Sequence, residues 1–307
     1  MNLLYIGAGF VGACSAAVSA DSGHETLVFE IDSKKVESLN SGDRAAIEAW
    51  IYEDGLVELL ERNRDRIRFT NDAAEMTAFV STADAVFLCL PTPEKTGALG
   101  STDLTYYYQA LESLGVNLAQ RNNGEQTKRV VIVNKSTVPI DQIDQTAKRL
   151  TAAGVKNFGV VSNPEFLVEG KAIENSLRPD RVVVGAETEE DFAVMRNVYR
   201  RFYDSANVKY LEVNPYEAAA GKLLANFTLF SRIVTTYAVL GRTAEKFPNL
   251  SYEALRSVIS SDPRIGSWGL YDSLFSGGSC FIKDAASLAF QFEGAGHDPE
   301  LVRKILA

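Results

Sequence analysis

The sequence is poor in the two residue types that most often build metal centres and proton relays. Among 307 residues there are only two histidines, His24 and His297, and three cysteines, Cys14, Cys89 and Cys280. The cysteines are odd in number and widely separated, which is typical of neither a disulfide framework nor a C-x-x-C metal site. The chain therefore has few residues that could form a zinc centre or a histidine-based acid–base mechanism, and we predict no metal.

Positive charge and long apolar runs are also scarce. Lysine and arginine total 31 against 40 acidic residues, which gives a net charge of −9. Such a chain is not expected to bind nucleic acid or anionic membranes non-specifically. We find no apolar run long enough to cross a bilayer, and the start, MNLLYIGAGFVG, lacks the features of a signal peptide. We therefore predict a cytoplasmic protein with no nucleic-acid or membrane partner.

The apolar residues that are present indicate an α/β fold. Six β-branched runs alternate with helical stretches, which predicts a doubly wound parallel Rossmann sheet covered on both faces. These runs are Leu3–Ile6, Thr26–Ile31, Ala85–Leu90, Val130–Lys135, Phe158–Ser162 and Arg181–Gly185.

The pattern changes after about residue 200. A short strand precedes mainly helical sequence, which predicts a smaller, mainly helical central domain. The strand is Lys209–Val213, and the helical stretches are Pro215 to about Lys246, Ser251–Ser260, Asp284–Gln291 and Pro299–Ala307. We predict an NAD-binding domain over residues 1–200 and a central domain for substrate binding and dimerisation over residues 201–307.

A glycine-rich loop directly follows the first predicted strand. Gly7, Gly9 and Gly12 have the G-x-G-x-x-G spacing, which lets a backbone approach a pyrophosphate at a helix N-terminus. Glu30 ends the second predicted strand, where a carboxylate accepts hydrogen bonds from an adenosine ribose and repels a 2′-phosphate. NAD is therefore favoured over NADP, although Lys35 nearby weakens that preference. We interpret Asp32, the other acidic residue there, as a solvated turn residue.

Two further patterns carry polar side chains. Lys222 and Asn226 are four residues apart on a predicted helix, so one face could hold an oxyanion, although the spacing alone favours an ordinary surface lysine. Cys280 follows a Gly-Gly-Ser turn and precedes Lys283 and Asp284, an unusual place for a structural cysteine. By contrast, we interpret Cys14 and Cys89 as small buried hydrophobes.

Several motifs in this order resemble the UDP-glucose/GDP-mannose dehydrogenase family over essentially the whole chain. Besides GAGFVG and the Lys222/Asn226 helix, they are PTP (Pro91–Pro93), KSTVP (Lys135–Pro139), NPEFLVEG (Asn163–Gly170), PDRVVVG (Pro179–Gly185), DPRIG (Asp262–Gly266) and GGSCFIKD (Gly277–Asp284). The resemblance implies NAD-dependent oxidation of UDP-glucose to UDP-glucuronate, by two hydride transfers through a cysteine thiohemiacetal and thioester.

The same resemblance implies roles for individual residues. Cys280 would be the nucleophile, Lys222 would stabilise the oxyanion, and Asn226 would hold the substrate or a water. Asp284 and Thr137 would organise water, and Glu165 or Glu169 would serve thioester hydrolysis, with no basis for choosing between them. Further cofactor-binding candidates are Phe10, Val11, Lys35, Pro91, Thr92, Ser136, Thr137 and Lys283. Further substrate-binding candidates are Phe166, Leu167, Glu169, Arg264 and Gly277.

Two departures from the family pattern leave alternatives open. Family members usually continue into a further domain that binds the nucleotide, so we expect weak or absent turnover from residues 1–307 alone. The turn Phe275–Gly278 replaces a common Gly-aromatic-Gly-Gly pattern, which puts the sugar in doubt. A GDP-mannose dehydrogenase and a non-catalytic NAD-binding module are the rival interpretations. The resemblance also implies a homodimer.

Overall fold

The computed structural model describes residues 1–121, 128–271 and 280–307. In these residues one eight-stranded sheet has the order β3-β2-β1-β4-β5-β6-β7-β8, and every neighbouring pair is parallel except β6–β7. The strands are β1 Asn2–Ile6, β2 Glu25–Phe29, β3 Ile67–Thr70, β4 Ala85–Leu88, β5 Val130–Asn134, β6 Phe158–Ser162, β7 Arg181–Gly185 and β8 Lys209–Val213.

The doubly wound sheet and all seven predicted strands are confirmed, with ends that shift by one or two residues. The structure adds β3, which pairs with the outer edge of β2. It escapes a pattern-based prediction because Ile67–Thr70 has only four residues and includes Arg68. Strand β8 also joins the sheet, beside β7.

Helices cover the sheet and build the rest of the chain. In chain order they are α1 Phe10–Asp21, α2 Ser33–Asn40, α3 Arg44–Glu48, α4 Leu56–Arg62, α5 Ala73–Val80, α6 Thr105–Arg121, α7 Gln142–Ala152, α8 Ala172–Leu177, α9 Glu189–Val198, α10 Arg200–Tyr203, α11 Pro215–Thr235, α12 Arg242–Lys246, α13 Tyr252–Ser260, α14 Cys280–Gly294 and α15 Glu300–Leu306. A π-helical segment, Thr236–Gly241, joins α11 to α12.

The sheet has an apolar cluster on each face because side chains alternate along a strand. On β1, Leu3 and Tyr5 belong to one cluster, and Leu4 and Ile6 belong to the other. Tyr5 stacks on Phe87 of β4 at a ring distance of 4.5 Å. Near-continuous apolar strands are thus explained by burial on both faces.

The chain divides into two compact units. Unit 1 comprises Met1–Thr92 and Asp103–Lys222, and unit 2 comprises Pro93–Thr102 and Leu223–Ala307. Within unit 2, Gly100 has φ of +80°, and a Cβ there would lie 2.2 Å from the carbonyl oxygen of Ala286. Segment 93–102 therefore packs directly against the backbone of α14, and only glycine allows this approach.

One helical run in the described part of the chain, Pro215–Lys246, is long and apolar enough to cross a membrane by length and composition. The expectation that no such run exists is therefore wrong. Core helices of soluble proteins pass the same test, and this run carries two polar side chains, Lys222 and Asn226, that are buried. Length and composition alone thus do not make it a membrane span.

Candidate active site

The glycine-rich loop joins β1 to α1 with its backbone closely packed on one side and open on the other. A Cβ on Gly7 would lie 2.5 Å from the carbonyl oxygen of Cys89, and a Cβ on Gly12 would lie 2.0 Å from that of Gly7. A Cβ on Gly9 would meet no atom within 4 Å. The first and third glycines therefore allow the turn and the helix to pack, and the second leaves space in which a pyrophosphate could approach α1.

Glu30 directly follows β2 and is held at the same end of the sheet. Its carboxylate accepts hydrogen bonds from the backbone N–H of Ala8 at 3.1 Å and of Asp32 at 3.2 Å, and Lys35 Nζ lies 3.6 Å away. Asp32 instead caps α2 by accepting from Lys34 N and Lys35 N, as expected of a turn residue. The loop and this carboxylate together fit the adenosine and pyrophosphate parts of a dinucleotide.

The loops after β4 and β5 are tied together in unit 1. Ser136 Oγ accepts from the backbone N–H of Leu90 at 2.8 Å, and Thr92 Oγ1 donates to the carbonyl oxygen of Thr137 at 2.8 Å. The PTP and KSTVP motifs, more than forty residues apart, are therefore one local structure at the carboxyl edge of the sheet. Ligands of open α/β sheets bind at this edge.

Lys222 is a buried residue of unit 1 and not the surface lysine that its spacing alone favours. Its Nζ donates to Glu165 Oε1 at 3.0 Å and lies 5.3 Å from the centre of the Phe166 ring. The other oxygen of Glu165 accepts from the backbone N–H of Leu167 at 2.6 Å. Glu169 is exposed, and the structure does not bring it to Lys222. The pair thus distinguishes two glutamates that the sequence leaves equivalent.

Asn226 and Asp284 form the corresponding polar pair of unit 2. Asn226 Nδ2 donates to Asp284 Oδ2 at 2.6 Å, and the Asp284 residue is only 1% exposed. Lys283 Nζ lies 2.9 Å from Oδ1, a charge contact that lacks hydrogen-bond geometry. An amide donor and an ammonium therefore compensate for burying this carboxylate.

Cys280 is the first described residue of α14, and it therefore belongs to a helix that the sequence predicts only from Asp284. Its side chain is exposed and lies one helical turn before Asp284. Cys14 and Cys89 are buried, as predicted, and burial raises the pKa of the Cys89 thiol to about 12. Among the three thiols, the exposed one is thus the reactive candidate.

Three of the predicted substrate-binding residues, Arg264, Gly277 and Phe166, differ in where they lie. Arg264 is exposed and pairs with Asp262 at 2.6 Å, and no contact brings it to another candidate in the described ranges. Gly277 lies outside the described residues. Phe166 stacks on the guanidinium of Arg181 at 3.8 Å.

Two buried charged residues, Lys135 and Glu53, are not among the site residues that the sequence predicts. Lys135 Nζ donates to Asn163 Oδ1 at 3.0 Å, and burial lowers the pKa of this ammonium. The carboxylate of Glu53 accepts from the backbone N–H of Gly170 at 2.7 Å and of Ala172 at 2.8 Å, which holds the turn after NPEFLVEG. Lys135 opens a recognised motif, a signal that could have identified it, whereas nothing local distinguishes Glu53.

Comparison with known protein families identifies the family of this chain. Residues 1–203 match the model of the UDP-glucose/GDP-mannose dehydrogenase family, NAD binding domain, and residues 216–307 match that family's central domain. The chain belongs to the UDP-glucose/GDP-mannose dehydrogenase family. Its cofactor is accordingly NAD, for which the glycine-rich loop and Glu30 are suited.

Individual relatives of this dehydrogenase family agree with the assignment. The chain is 36% identical to the UDP-glucose 6-dehydrogenase AglM of Haloferax volcanii, over 99% of this chain and 68% of that protein. It is 33% identical to the UDP-glucose 6-dehydrogenase of Pseudomonas aeruginosa, over 100% of this chain and 65% of that protein. The structure of a UDP-glucose dehydrogenase from Pyrobaculum islandicum aligns with a TM-score of 0.87 at 30% identity, covering 99% of this chain and 66% of that one. The chain thus spans about two thirds of the length of these dehydrogenases.

Proposed function

We propose that the protein oxidises UDP-glucose to UDP-glucuronate with NAD. The observation that carries this proposal is the pair formed by Lys222 and Glu165 at 3.0 Å, which joins two motifs that are 57 residues apart. A buried lysine beside a carboxylate at the sheet's carboxyl edge can stabilise an oxyanion and exchange protons. The relatives at 36% and 33% identity are named UDP-glucose 6-dehydrogenases, which favours this sugar over GDP-mannose.

The first oxidation converts the sugar's 6-hydroxymethyl group to an aldehyde. Bound NAD supplies the chemistry of accepting a hydride. Phe166 and Leu167 would position the sugar, and Lys222 Nζ would stabilise the alkoxide oxygen as its proton leaves to a water held by Thr137. Pro91, Thr92, Ser136 and Lys283 would contact the cofactor, and Asn226 and Asp284 would hold the substrate and a water.

The second oxidation needs a covalent bond to the chain, because an aldehyde cannot lose hydride until a nucleophile adds to it. Cys280 Sγ adds to the aldehyde carbon, and the aldehyde oxygen takes a proton to give a thiohemiacetal. The thiohemiacetal carbon then gives its hydride to a second NAD, and the hydroxyl proton passes to the water held by Thr137, which gives a thioester. Water then attacks the thioester carbon and transfers a proton to Glu165, and the products are the carboxylate and the regenerated thiol.

NADH formation tests this sequence of steps. With UDP-glucose we expect two NADH for each UDP-glucuronate, and GDP-mannose is the matched control substrate. Cys280→Ala should lower kcat by at least about a thousandfold because no thioester can form, while NAD affinity stays unchanged. Cys14→Ala is the matched variant at a buried thiol. An unchanged rate in Cys280→Ala, or oxidation of GDP-mannose alone, would contradict the proposal.

Thiol alkylation provides a second test that does not depend on turnover. Iodoacetamide at pH 8 should modify Cys280 much faster than Cys14 or Cys89, since the latter two are buried and burial raises the pKa of both thiols. UDP-glucose should protect Cys280, and GDP-mannose should not. Equal modification with and without UDP-glucose would argue against a sugar site at this thiol. A cytoplasmic location and a homodimer remain part of the proposal.

A further inference from the structure

A cavity in unit 1 extends along α1 and away from the glycine-rich loop. Its walls come from α1, Lys135, residues 163–168, residues 175–182 and residues 198–202, and its volume is about 200 Å³. Ligand sites are typically concave and combine apolar walls with a few polar groups, as this cavity does. Ser15 and Ser19 of α1 and Ser22, which follows α1, line it, whereas Gly7, Gly9 and Gly12 do not. The cavity is therefore separate from the surface that fits the pyrophosphate.

Lys135 lines this cavity and forms no ion pair within the described residues. The residue is 8% exposed, and its Nζ donates to two neutral acceptors, Asn163 Oδ1 at 3.0 Å and Tyr199 Oη at 3.3 Å. Within the described ranges, no carboxylate oxygen lies within ion-pair distance of Lys135 Nζ. A buried charge is costly unless an opposite charge compensates for it. An anion in the cavity would provide that compensation.

Two more cations line the same cavity. Arg178 is exposed, Arg181 is half-buried with its face on Phe166, and neither forms an ion pair within the parts of the chain that the structure describes. The acidic lining residues are Glu165, which already pairs with Lys222, and Asp180. Three cations against one unpaired carboxylate leave an excess of two positive charges in a chain whose net charge is −9.

We propose that this cavity binds a small phosphate monoester as a second ligand site, which is separate from the cofactor site and shares Glu165, Phe166 and Leu167 with the proposed sugar site. A phosphate monoester carries a charge of about −2 at neutral pH and so matches the local excess. Its phosphate would lie against Lys135, with Arg178 and Arg181 nearer the solvent, because arginine and lysine both donate charge-assisted hydrogen bonds to phosphate oxygens. The serine hydroxyls of α1 would bind the ligand's polar groups, and Val18 and Val198 would contact its carbon atoms.

Isothermal titration calorimetry with glycerol 3-phosphate tests the site. We expect millimolar or tighter binding, weakened about tenfold or more in Arg178→Ala because one charge-assisted contact is lost. Lys135→Met should weaken binding further. Arg64→Ala removes an exposed arginine away from the cavity and should change nothing. Since Arg178 is exposed, its replacement leaves the fold intact and keeps the test decisive even if Lys135→Met fails to fold.

A competition experiment separates this site from the cofactor site. NAD at saturating concentration should leave the affinity for glycerol 3-phosphate unchanged. Displacement by NAD would place the phosphate at the glycine-rich loop and overturn the proposal, as would wild-type protein that shows no binding. Succinate, a dianion without phosphorus, should bind more weakly, and tighter binding of succinate would overturn the assignment to phosphate. Failure of sugar oxidation affects none of these outcomes.

Discussion

Unit 1 and unit 2 differ in how many apolar side chains they bury. The central strands of unit 1 bury their apolar side chains on both faces of a sheet, and every residue of β4 and β5 is buried. In unit 2 the described core cluster contains only five buried residues, Phe230, Ala285, Leu288, Ala289 and Val302. Large apolar side chains remain exposed in unit 2, among them Val239 and Val258. Apolar pattern and burial therefore coincide in the central strands of unit 1, although Leu211 of the edge strand β8 is exposed, whereas in unit 2 a buried polar pair accompanies a small core.

The two tryptophans allow the units to be measured separately. The chain contains only Trp50 and Trp268, and each unit holds one. A Trp268→Phe background reports on unit 1 by fluorescence, and a Trp50→Phe background reports on unit 2. Urea unfolding followed in each background therefore assigns a loss of stability to one unit.

The largest expected effect is in unit 1, from Gly12→Val. A Cβ there would lie 2.0 Å from the carbonyl oxygen of Gly7, so the loop and α1 must move apart. We expect the free energy of unfolding to fall by more than about 3 kcal/mol and NAD binding to be lost. Trp50 fluorescence in urea and an NAD titration measure both. Gly9→Ala is the control, because its Cβ meets no atom within 4 Å, and its stability should change by less than about 1 kcal/mol.

An intermediate effect is expected in unit 2, from Asp284→Ala. The buried amide of Asn226 loses its acceptor, which should cost about 2 to 3 kcal/mol measured through Trp268. Asp284→Asn keeps an acceptor and should cost less. Glu293→Ala removes an exposed carboxylate from the same helix and should cost below about 1 kcal/mol. Equal losses for Asp284→Ala and Glu293→Ala would show that the polar pair does not support unit 2.

The smallest effect is expected from Val258→Thr. This side chain is 71% exposed, so an isosteric hydroxyl should change stability by less than about 0.5 kcal/mol. The same substitution at Val86, which is completely buried in β4, places an unpaired hydroxyl in the core and should cost about 2 kcal/mol. If both substitutions cost the same at their respective tryptophans, the contrast between the units does not hold.

The fold was largely predictable because its signals are local. Near-continuous apolar runs predict buried parallel strands, and the spacing of Gly7, Gly9 and Gly12 predicts a turn into a helix. Strand β3 escapes prediction because four residues are too few to show a period of two. The sequence predicts a helix only from Asp284, whereas Cys280 already belongs to α14.

The doubly wound sheet, the NAD loop and the family can be predicted from the amino-acid order, because they depend on residues that are neighbours in the chain or on ordered motifs. Packing in three dimensions buries Lys222 beside Glu165, pairs Asn226 with Asp284 and places Lys135 at a cavity. The partners of the first pair are 57 positions apart in the chain, and those of the second pair are 58 apart. Side-chain pairing at that separation depends on how helices and loops pack in three dimensions, and no local period of two or 3.6 residues encodes it.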